Sequence, residues 1–487
     1  MNPVAAVSQN LLENGSSYSE DRALNVDSVN DEISKYEESR CSFISVNKDL
    51  DRRLVSFQAN KNKPLYRLFK YKEGFSASLV DYFIDYMGVE GAVLDPFSGT
   101  GTTSIVAGSR GINSTGVELL PVGDLVAKTR SLFLSGVPDT VKQEISFWSK
   151  ENPWKTCSSP DKLITMRITD GAYPAQTEWE IRQFLTVLKE FSEKAQMILK
   201  FSLCSILESV SYTRKDGQYL RWDHRSGRRA GKNPFDKGVI LEFNEAINAK
   251  LSDVLDDLDV AVRHDLFSSL QSKSVCEPEF LLGSSLVELM KLSDGSFSSV
   301  ITSPPYCNRY DYTRTYALEL AALGVESETL IQMRQTMLSC TVENRAKDLL
   351  DMNSSWTGVV KYTRDHPVLS LILEYLWDLR SSGKLNNNGI PRMVEGYFTE
   401  MACIIHECSR LLKSGGSVAM VNDNVRYAGV AIPVDMILSD VAEFCGMRVE
   451  KIMVQPQGKG TSSQQMGVHG RNALRKCVYV WRKNEYF

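Results

Sequence analysis

The stretch TSPPY at positions 302–306 holds the residues with the most specific chemistry in this sequence. It follows the apolar run SSVI, which predicts a buried strand that ends at the carboxyl edge of a sheet. Consecutive prolines fix an extended backbone and remove two amide donors, so the Ser303 hydroxyl and the carbonyls around Pro304 remain as acceptors. Such acceptors can take the two N–H groups of a base's exocyclic amine while Tyr306 stacks on the extruded base. A proline-stiffened loop beside an ordinary packed tyrosine is the alternative.

A second candidate site is the glycine-rich loop in VLDPFSGTGTT, which begins at Val93. Asp95 ends a predicted strand, and Gly99 and Gly101 let the backbone pass close to a ligand. The helix that follows directs its first amides at that ligand. Glu118 ends the next predicted strand, where a carboxylate can accept hydrogen bonds from both hydroxyls of a ribose.

Three interpretations of this loop remain open from the residues alone. A dinucleotide site prefers GxGxxG, whereas the third position here is Ser104. A phosphate-binding P-loop requires a lysine directly after its last glycine, and this loop has none. A tight strand–helix turn that binds no ligand is the third possibility.

Taken together, the two motifs resemble those of the amino-group DNA methyltransferases. DPFSGTGTT is similar to that family's cofactor motif DPF-x-G-S-G-T, and SPPY to its catalytic motif [DNS]PP[YFW]. KYKEGFSASLV, just upstream, resembles the accessory cofactor motif, and Ser284 stands where the family usually has an aspartate. The resemblance implies S-adenosylmethionine as cofactor, bound by Phe75, Ser76, Asp95, Pro96, Phe97, Gly99, Gly101, Thr102, Thr103, Glu118 and Ser284.

The same resemblance implies a chemical outcome. Serine in the first position of the catalytic motif is the form most associated with methylation of cytosine N4, with Ser303, Pro304, Pro305 and Tyr306 as catalytic residues. Double-stranded DNA with a flipped base is the expected substrate, in a restriction–modification or host-marking system with a separate endonuclease. N6-adenine methylation, RNA amino-group methylation and a non-catalytic DNA-binding role are the alternatives. Methylation at cytosine C5 needs a cysteine nucleophile, typically after a proline, and the sequence has no Pro-Cys pair.

A basic segment, residues 211–237, supplies positive charge in a chain whose net charge is −4. Eight lysines and arginines stand against three aspartates there, with aromatic residues between them. Such residues can neutralise phosphates and read guanine edges, although a solvated basic hairpin is the alternative. The predicted nucleic-acid contacts are Arg214, Lys215, Arg221, Arg225, Arg228, Arg229 and Lys232.

The elements that must position these motifs alternate between short apolar runs and amphipathic stretches, which predicts an α/β fold. We expect a Rossmann-like methyltransferase domain with a seven-stranded mixed sheet and two inserts. The predicted organisation is a disordered acidic tail (1–45), a cofactor-binding half (46–125), an inserted target-recognition region (126–275), a catalytic-loop part (276–324), a helical insert (325–395) and a C-terminal part of the core (396–487).

Composition is consistent with a globular enzyme of the cytosol. No apolar run approaches the roughly 20 residues of a membrane helix, and the N-terminus shows no secretory signal. The ten cysteines contain no CxxC pair, so reduced, mostly buried thiols are expected and no metal site is predicted.

Overall fold

The computed structural model describes residues 24–51, 53–71, 73–216, 220–228, 234–268, 275–456 and 474–485. A sheet of eight strands lies at its centre. These strands are β1 (Ile44–Val46), β2 (Val93–Asp95), β3 (Ser114–Glu118), β6 (Glu279–Leu282), β7 (Phe297–Thr302), β8 (Leu412–Asp423), β11 (Met447–Val454) and β12 (Lys476–Lys483). Their order across the sheet is β1-β11-β12-β8-β7-β2-β3-β6. Two short hairpins complete the strands, β4 (Thr213–Lys215) with β5 (Leu220–Trp222) and β9 (Val425–Tyr427) with β10 (Val430–Ile432).

The predicted Rossmann-like α/β fold is confirmed, with one more strand than the seven expected. The additional strand is β1, which pairs in parallel with β11 at the edge of the sheet. Only β12 runs antiparallel to its neighbours β11 and β8. Strands β6, β3, β2, β7 and β8 follow the order 3-2-1-4-5, so the direction of winding reverses between β2 and β7. Ligands bind outside the carboxyl ends of the strands at such a switch point.

Helices cover both faces of the sheet and build the two inserts. In chain order they are α1 (Val26–Arg40), α2 (Ala77–Met87), α3 (Thr102–Ser109), α4 (Pro121–Ser135), α5 (Asp139–Glu151), α6 (Ala175–Val187), α7 (Glu193–Val210), α8 (Phe243–Ser268), α9 (Ser285–Glu288), α10 (Tyr312–Thr315), α11 (Ala317–Ala322), α12 (Ser327–Thr336), α13 (Leu349–Met352), α14 (Thr357–Arg364), α15 (Pro367–Ser381), α16 (Ile390–Leu411) and α17 (Val434–Phe444). None of the helices described is long and apolar enough to cross a membrane.

The predicted acidic tail is corrected over residues 24–45, because helix α1 and strand β1 belong to the fold. Val29 and Ile33 stand four positions apart on one face of α1 and are buried against the main core. The helix also forms ion pairs with the C-terminal part of the chain: Glu37 accepts from Arg475 at 2.6 Å, and Arg40 donates to Glu443 at 2.8 Å. The rest of the predicted tail, residues 1–23, lies outside the described residues.

The first insert builds a core of its own. Helices α4 to α8 enclose buried aromatic residues, among them Trp148 and Trp154, whose rings stack with centroids 5.4 Å apart. Helix α4 runs to Ser135, past the boundary expected at residue 125, and joins this core to the central sheet. The second insert has no separate core: Trp356 and Leu376, both fully buried, belong to the same cluster as the helices beside the sheet.

Candidate active site

A pocket at the carboxyl ends of β2, β3 and β7 brings the two predicted motifs together. Its empty space, including the open mouth, is about 890 Å³. Nine of the predicted site residues line it, from segments up to 230 positions apart in the sequence. They are Phe75, Asp95, Phe97, Gly99, Thr102, Glu118, Ser284, Ser303 and Pro305.

The glycine loop has the backbone that its sequence predicts. Gly99 and Gly101 have φ angles of +53° and +76°, in the left-handed region that favours glycine. A β-carbon on Gly101 would lie 2.8 Å from the β-carbon of Ala127, and one on Gly99 would lie 3.2 Å from the ring of Tyr71. Helix α3 begins at Thr102, directly after this turn, and Thr102 lines the pocket.

Asp95 joins the cofactor loop to the catalytic strand. Its carboxylate is 1 % exposed and accepts hydrogen bonds from the Thr302 hydroxyl at 2.6 Å and the Phe97 amide at 3.1 Å. Burial raises the pKa of Asp95 to about 6, and the bonds from Thr302 and Phe97 oppose that rise. Thr103 adds a second link between the two motifs, since its hydroxyl donates to the Ile301 carbonyl at 3.1 Å.

Glu118 lies at the end of β3 with its carboxyl group toward the pocket. One carboxyl oxygen accepts from the Leu120 amide at 2.8 Å. Burial raises the pKa of Glu118 to about 8, and the nearby charge of Asp95 adds to the rise. Gly123 makes room for this side chain, because a β-carbon there would lie 2.8 Å from the Glu118 carboxyl carbon.

Several predicted cofactor residues support the pocket without lining it. The correction is clearest for Ser76, which is fully buried and caps helix α2. Its hydroxyl donates to the Leu54 carbonyl at 2.5 Å and accepts from the Leu79 amide at 3.1 Å. The Pro96 carbonyl accepts from Ser285 at 2.5 Å, while Gly101 and Thr103 hold the loop as described above.

Ser284 lines the pocket, and its hydroxyl already has a partner. It donates to the carbonyl of Thr336 at 3.1 Å, so its oxygen remains available as an acceptor. That oxygen can accept one hydrogen bond at the position where the amino-group DNA methyltransferases, which this sequence resembles, usually have a carboxylate. Met337 and Leu338, which follow Thr336, also line the pocket.

The SPPY loop leaves β7 directly after Thr302. Ser303 and Pro305 face the pocket, Pro304 is buried, and Tyr306 is half-buried with its hydroxyl 3.4 Å from the Ser303 oxygen. Burial raises the pKa of Tyr306 well above its usual range, so the phenol stays protonated and cannot act as a base near neutral pH.

The residue after the loop is structural. Cys307 is fully buried, its carbonyl accepts from the Tyr427 hydroxyl at 2.7 Å, and burial raises the pKa of its thiol well above the usual range. A buried, protonated thiol is not a nucleophile. The geometry therefore fits direct transfer to a substrate amine with no covalent intermediate on the protein.

The basic segment contains exposed cations and cations that are engaged within the protein. Arg214 and Arg221 are exposed on the β4–β5 hairpin, with their guanidinium groups 5.3 and 4.1 Å from the centroid of the Phe235 ring. Arg214 also donates to the Lys237 carbonyl at 3.1 Å, and Arg221 lies 3.8 Å from the Asp216 carboxylate. The prediction is corrected at Lys215, which is 9 % exposed and pairs with the buried Glu319 at 2.5 Å. Alternation along the strand explains the difference, because neighbouring side chains point to opposite faces.

Two further predicted contacts are engaged within the protein. Arg225 donates to both carboxylate oxygens of the buried Asp223, at 2.7 and 2.9 Å. Arg228 stacks on Trp222 at 3.6 Å and donates to the carbonyls of Arg167 and Asp170. Both arginines therefore shape the hairpin. The remaining two, Arg229 and Lys232, lie outside the described residues.

Part of the pocket wall was not predicted from the sequence. Tyr71 and Glu73 line it from the segment beside Phe75, Tyr312 from the segment after the SPPY loop, and Met337 and Leu338 from the second insert. Tyr71 and Glu73 lie within the KYKEGF stretch, where position alone could have marked them. Nothing in the sequence marked Met337 and Leu338, because they lie in an insert without a motif.

The chain is similar over nearly its whole length to known methyltransferases. It is 48% identical over 442 residues to the Type II methyltransferase M.AvaI of Nostoc sp., and the aligned region covers 90% of each chain. The protein of that name from Anabaena variabilis is equally similar. It is 39% identical over 474 residues to the Type II methyltransferase M.BsoBI of Geobacillus stearothermophilus, covering 92% of this chain and 91% of the relative. No model of a known protein family matches the chain.

Proposed function

Because the chain belongs to the Type II methyltransferases, we propose that it transfers a methyl group from S-adenosylmethionine to N4 of cytosine at a specific site in double-stranded DNA. The observation that carries this proposal is the shared pocket, which is lined by Asp95 of the cofactor loop, by Glu118 at the end of β3, and by Ser303 and Pro305 of the SPPY loop. A cofactor and a base amine that meet there would react directly: the bond from sulfur to methyl would break as the bond from nitrogen to methyl forms, with loss of S-adenosylhomocysteine and of one amine proton.

The residues of the pocket fit S-adenosylmethionine. Glu118 offers two carboxyl oxygens at the end of β3, where they can accept from both ribose hydroxyls. Gly99 lines the pocket without a side chain, so the backbone of the left-handed turn can approach the methionine part of the cofactor closely. Phe75, Phe97 and Leu338 supply apolar walls, and Ser284 supplies one acceptor for the adenine. When bound, the cofactor supplies an electrophilic methyl group on a sulfonium.

The SPPY loop then prepares the base. The amine of cytosine is a poor nucleophile because its lone pair is delocalised into the ring. The Ser303 oxygen and the Pro304 carbonyl can accept its two N–H groups and favour the pyramidal form that attacks. Tyr306 stacks on the flipped base, and the surrounding apolar residues exclude water. The contribution of the protein is mainly positioning.

The exposed arginines on the β4–β5 hairpin are proposed to contact DNA. Arg214 and Arg221 are cross-strand partners, so they project from the same face, and both guanidinium groups are in cation–π contact with Phe235. Phosphate contacts of this kind fix a protein's register on the duplex. We place this enzyme in a restriction–modification system, with the cognate endonuclease as a separate protein.

Analysis of modified nucleosides tests the proposal. DNA from cells that express the protein is digested and examined by mass spectrometry beside DNA from cells that express Ser303→Ala. N4-methylcytosine in the first sample alone is the expected result. N6-methyladenine alone would overturn the choice of base, and 5-methylcytosine would overturn the mechanism as well.

A further inference from the structure

Glu73 joins the cofactor segment to the residues that follow the SPPY loop. It lines the pocket beside Gly74 and Phe75. One carboxylate oxygen accepts a hydrogen bond from the Tyr310 hydroxyl, and the other accepts from the Tyr316 hydroxyl at 2.5 Å. Both oxygens are therefore used by side chains from a single segment, more than 230 positions away in the sequence.

Tyr316 is itself held from two sides. Its ring stacks on Tyr71, with centroids 5.3 Å apart and planes at 19°, and Tyr71 in turn lies against Gly99 of the cofactor loop. On the insert side the Lys215 ammonium lies 4.2 Å from the centre of the Tyr316 ring and pairs with Glu319 one turn later. Tyr316 is 1 % exposed, so these contacts fix it in one place.

The backbone between the SPPY loop and Tyr316 needs such support. Arg309 has a φ angle of +65°, in the left-handed region that non-glycine residues rarely adopt. Strain of this kind persists only when neighbouring contacts over-determine the conformation. Contacts of this kind include the two tyrosine hydroxyls on Glu73, one on each side of helix α10, and the bond from Tyr427 to the Cys307 carbonyl. Asp311, between the two tyrosines, also pairs with Arg334 at 3.0 Å.

We propose that Glu73 is a positioning residue for methyl transfer, which holds the segment from Cys307 to Tyr316, and with it the SPPY loop, against the cofactor pocket. The proposal rests on the function proposed above and adds a residue to it. Glu73 acts through Tyr310 and Tyr316 and not by contact with the reacting atoms. A misplaced catalytic loop lowers turnover far more than it lowers cofactor affinity, because transfer requires the reacting atoms in line.

Steady-state kinetics of the full chain test this role. Tyr310→Phe and Tyr316→Phe each remove one hydroxyl and keep the ring, and Glu73→Gln keeps the size but loses one acceptor. Each variant is expected to lower kcat about tenfold while KM for S-adenosylmethionine changes less than about threefold. Combining Glu73→Gln with Tyr310→Phe should lower kcat by less than the product of the two single losses, since both changes remove the same bond.

Tyr375→Phe is the matched control, because its hydroxyl donates to the Ala428 carbonyl at 3.0 Å, away from Glu73. It should keep the wild-type kcat. Unchanged kcat in all three test variants would overturn the proposal. So would a Glu73→Gln variant with weakened cofactor binding and unchanged kcat, which would make Glu73 a direct cofactor contact.

Hydrogen exchange separates this proposal from the proposed function. Amides of residues 307–316 should exchange at least tenfold faster in Glu73→Gln than in the wild type, in the absence of DNA. This measurement needs no turnover, so it reports on Glu73 even if the wild type fails to methylate the DNA offered. Equal exchange in the two proteins would refute the positioning role, whereas lack of methylation by the wild type would refute only the function.

Discussion

The pKa of Glu118 leads to a quantitative prediction for cofactor binding. Burial raises that pKa to about 8 in the free protein, so the carboxyl group is mostly protonated at pH 7. Ribose hydroxyls donate to a carboxylate, which means that binding favours the ionised form and releases a proton. Affinity for S-adenosylmethionine should therefore rise with pH up to about 8 and level off above it, by at most about tenfold, or 1.4 kcal/mol, per pH unit.

The variant Glu118→Gln removes both the charge and its titration. A hydrogen bond to a charged group contributes about 1.5–3 kcal/mol, so the loss in affinity at pH 8.5 should lie between roughly tenfold and a hundredfold. At pH 6.5 the loss should be smaller, because the wild type then has to ionise Glu118 in order to bind. The pH dependence should disappear in the variant.

Isothermal titration calorimetry at pH 6.5, 7.5 and 8.5 measures both effects. Repeating each titration in buffers of different ionisation enthalpy counts the protons, and at pH 7 the wild type should release close to one. The same raised pKa lowers the stability of the folded protein as pH rises from about 4.5 to 8, because ionisation is easier in the unfolded chain. The melting temperature of Glu118→Gln at pH 8.5 should therefore be at least as high as that of the wild type. Wild-type binding that is independent of pH and releases no proton would refute the reasoning.

Three further outcomes are expected. Gly123→Ala should weaken S-adenosylmethionine binding at least tenfold in calorimetry, because its β-carbon would lie 2.7 Å from the Gly99 carbonyl as well as against Glu118; unchanged affinity would show that the loop can move aside. Ser303→Ala should bind the cofactor normally yet lower kcat at least tenfold, a loss of about 1.4 kcal/mol of transition-state stabilisation, and a normal kcat would remove the hydroxyl from the mechanism. Arg214→Ala combined with Arg221→Ala should flatten the salt dependence of DNA binding by about 0.9 units of slope for each phosphate that the two arginines neutralise. Arg448 is an exposed arginine that donates to Glu450, and Arg448→Ala should leave the slope unchanged. Equal slopes in all proteins would show that the hairpin does not contact DNA phosphates.

The sequence carried most of the information about the centre of the fold. Strand β2 and its glycine loop could be predicted because an apolar run indicates a buried strand and glycines indicate a backbone with positive φ angles. The same is true of the SPPY loop, whose two prolines restrict the backbone wherever they occur. These features depend on residue types within a few positions of one another, so a short stretch of sequence is enough to predict them.

The surroundings of the pocket were harder to predict because they depend on long-range contacts. Lys215 looked like one more cation in a basic segment, and only its pairing with Glu319 from another element shows that it is buried. Helix α1 looked like a solvated tail because its apolar residues are few, and its acidic side chains find partners only in the folded chain. Met337 and Leu338 reach the pocket through the packing of an insert.

The ion pair between Glu37 and Arg475 joins residues 438 positions apart, and strand β1 likewise pairs with β11 near the end of the chain. During synthesis at about 5–20 residues per second, helix α1 leaves the ribosome roughly 20–90 s before its partner does. Likewise, the hydrogen bond between Asp95 and Thr302, which joins the two motifs, can form only after Thr302 has been synthesised. Catalytic competence is therefore a property of the finished chain, because a polypeptide that ends early lacks the partners of Asp95, β1 or Glu37.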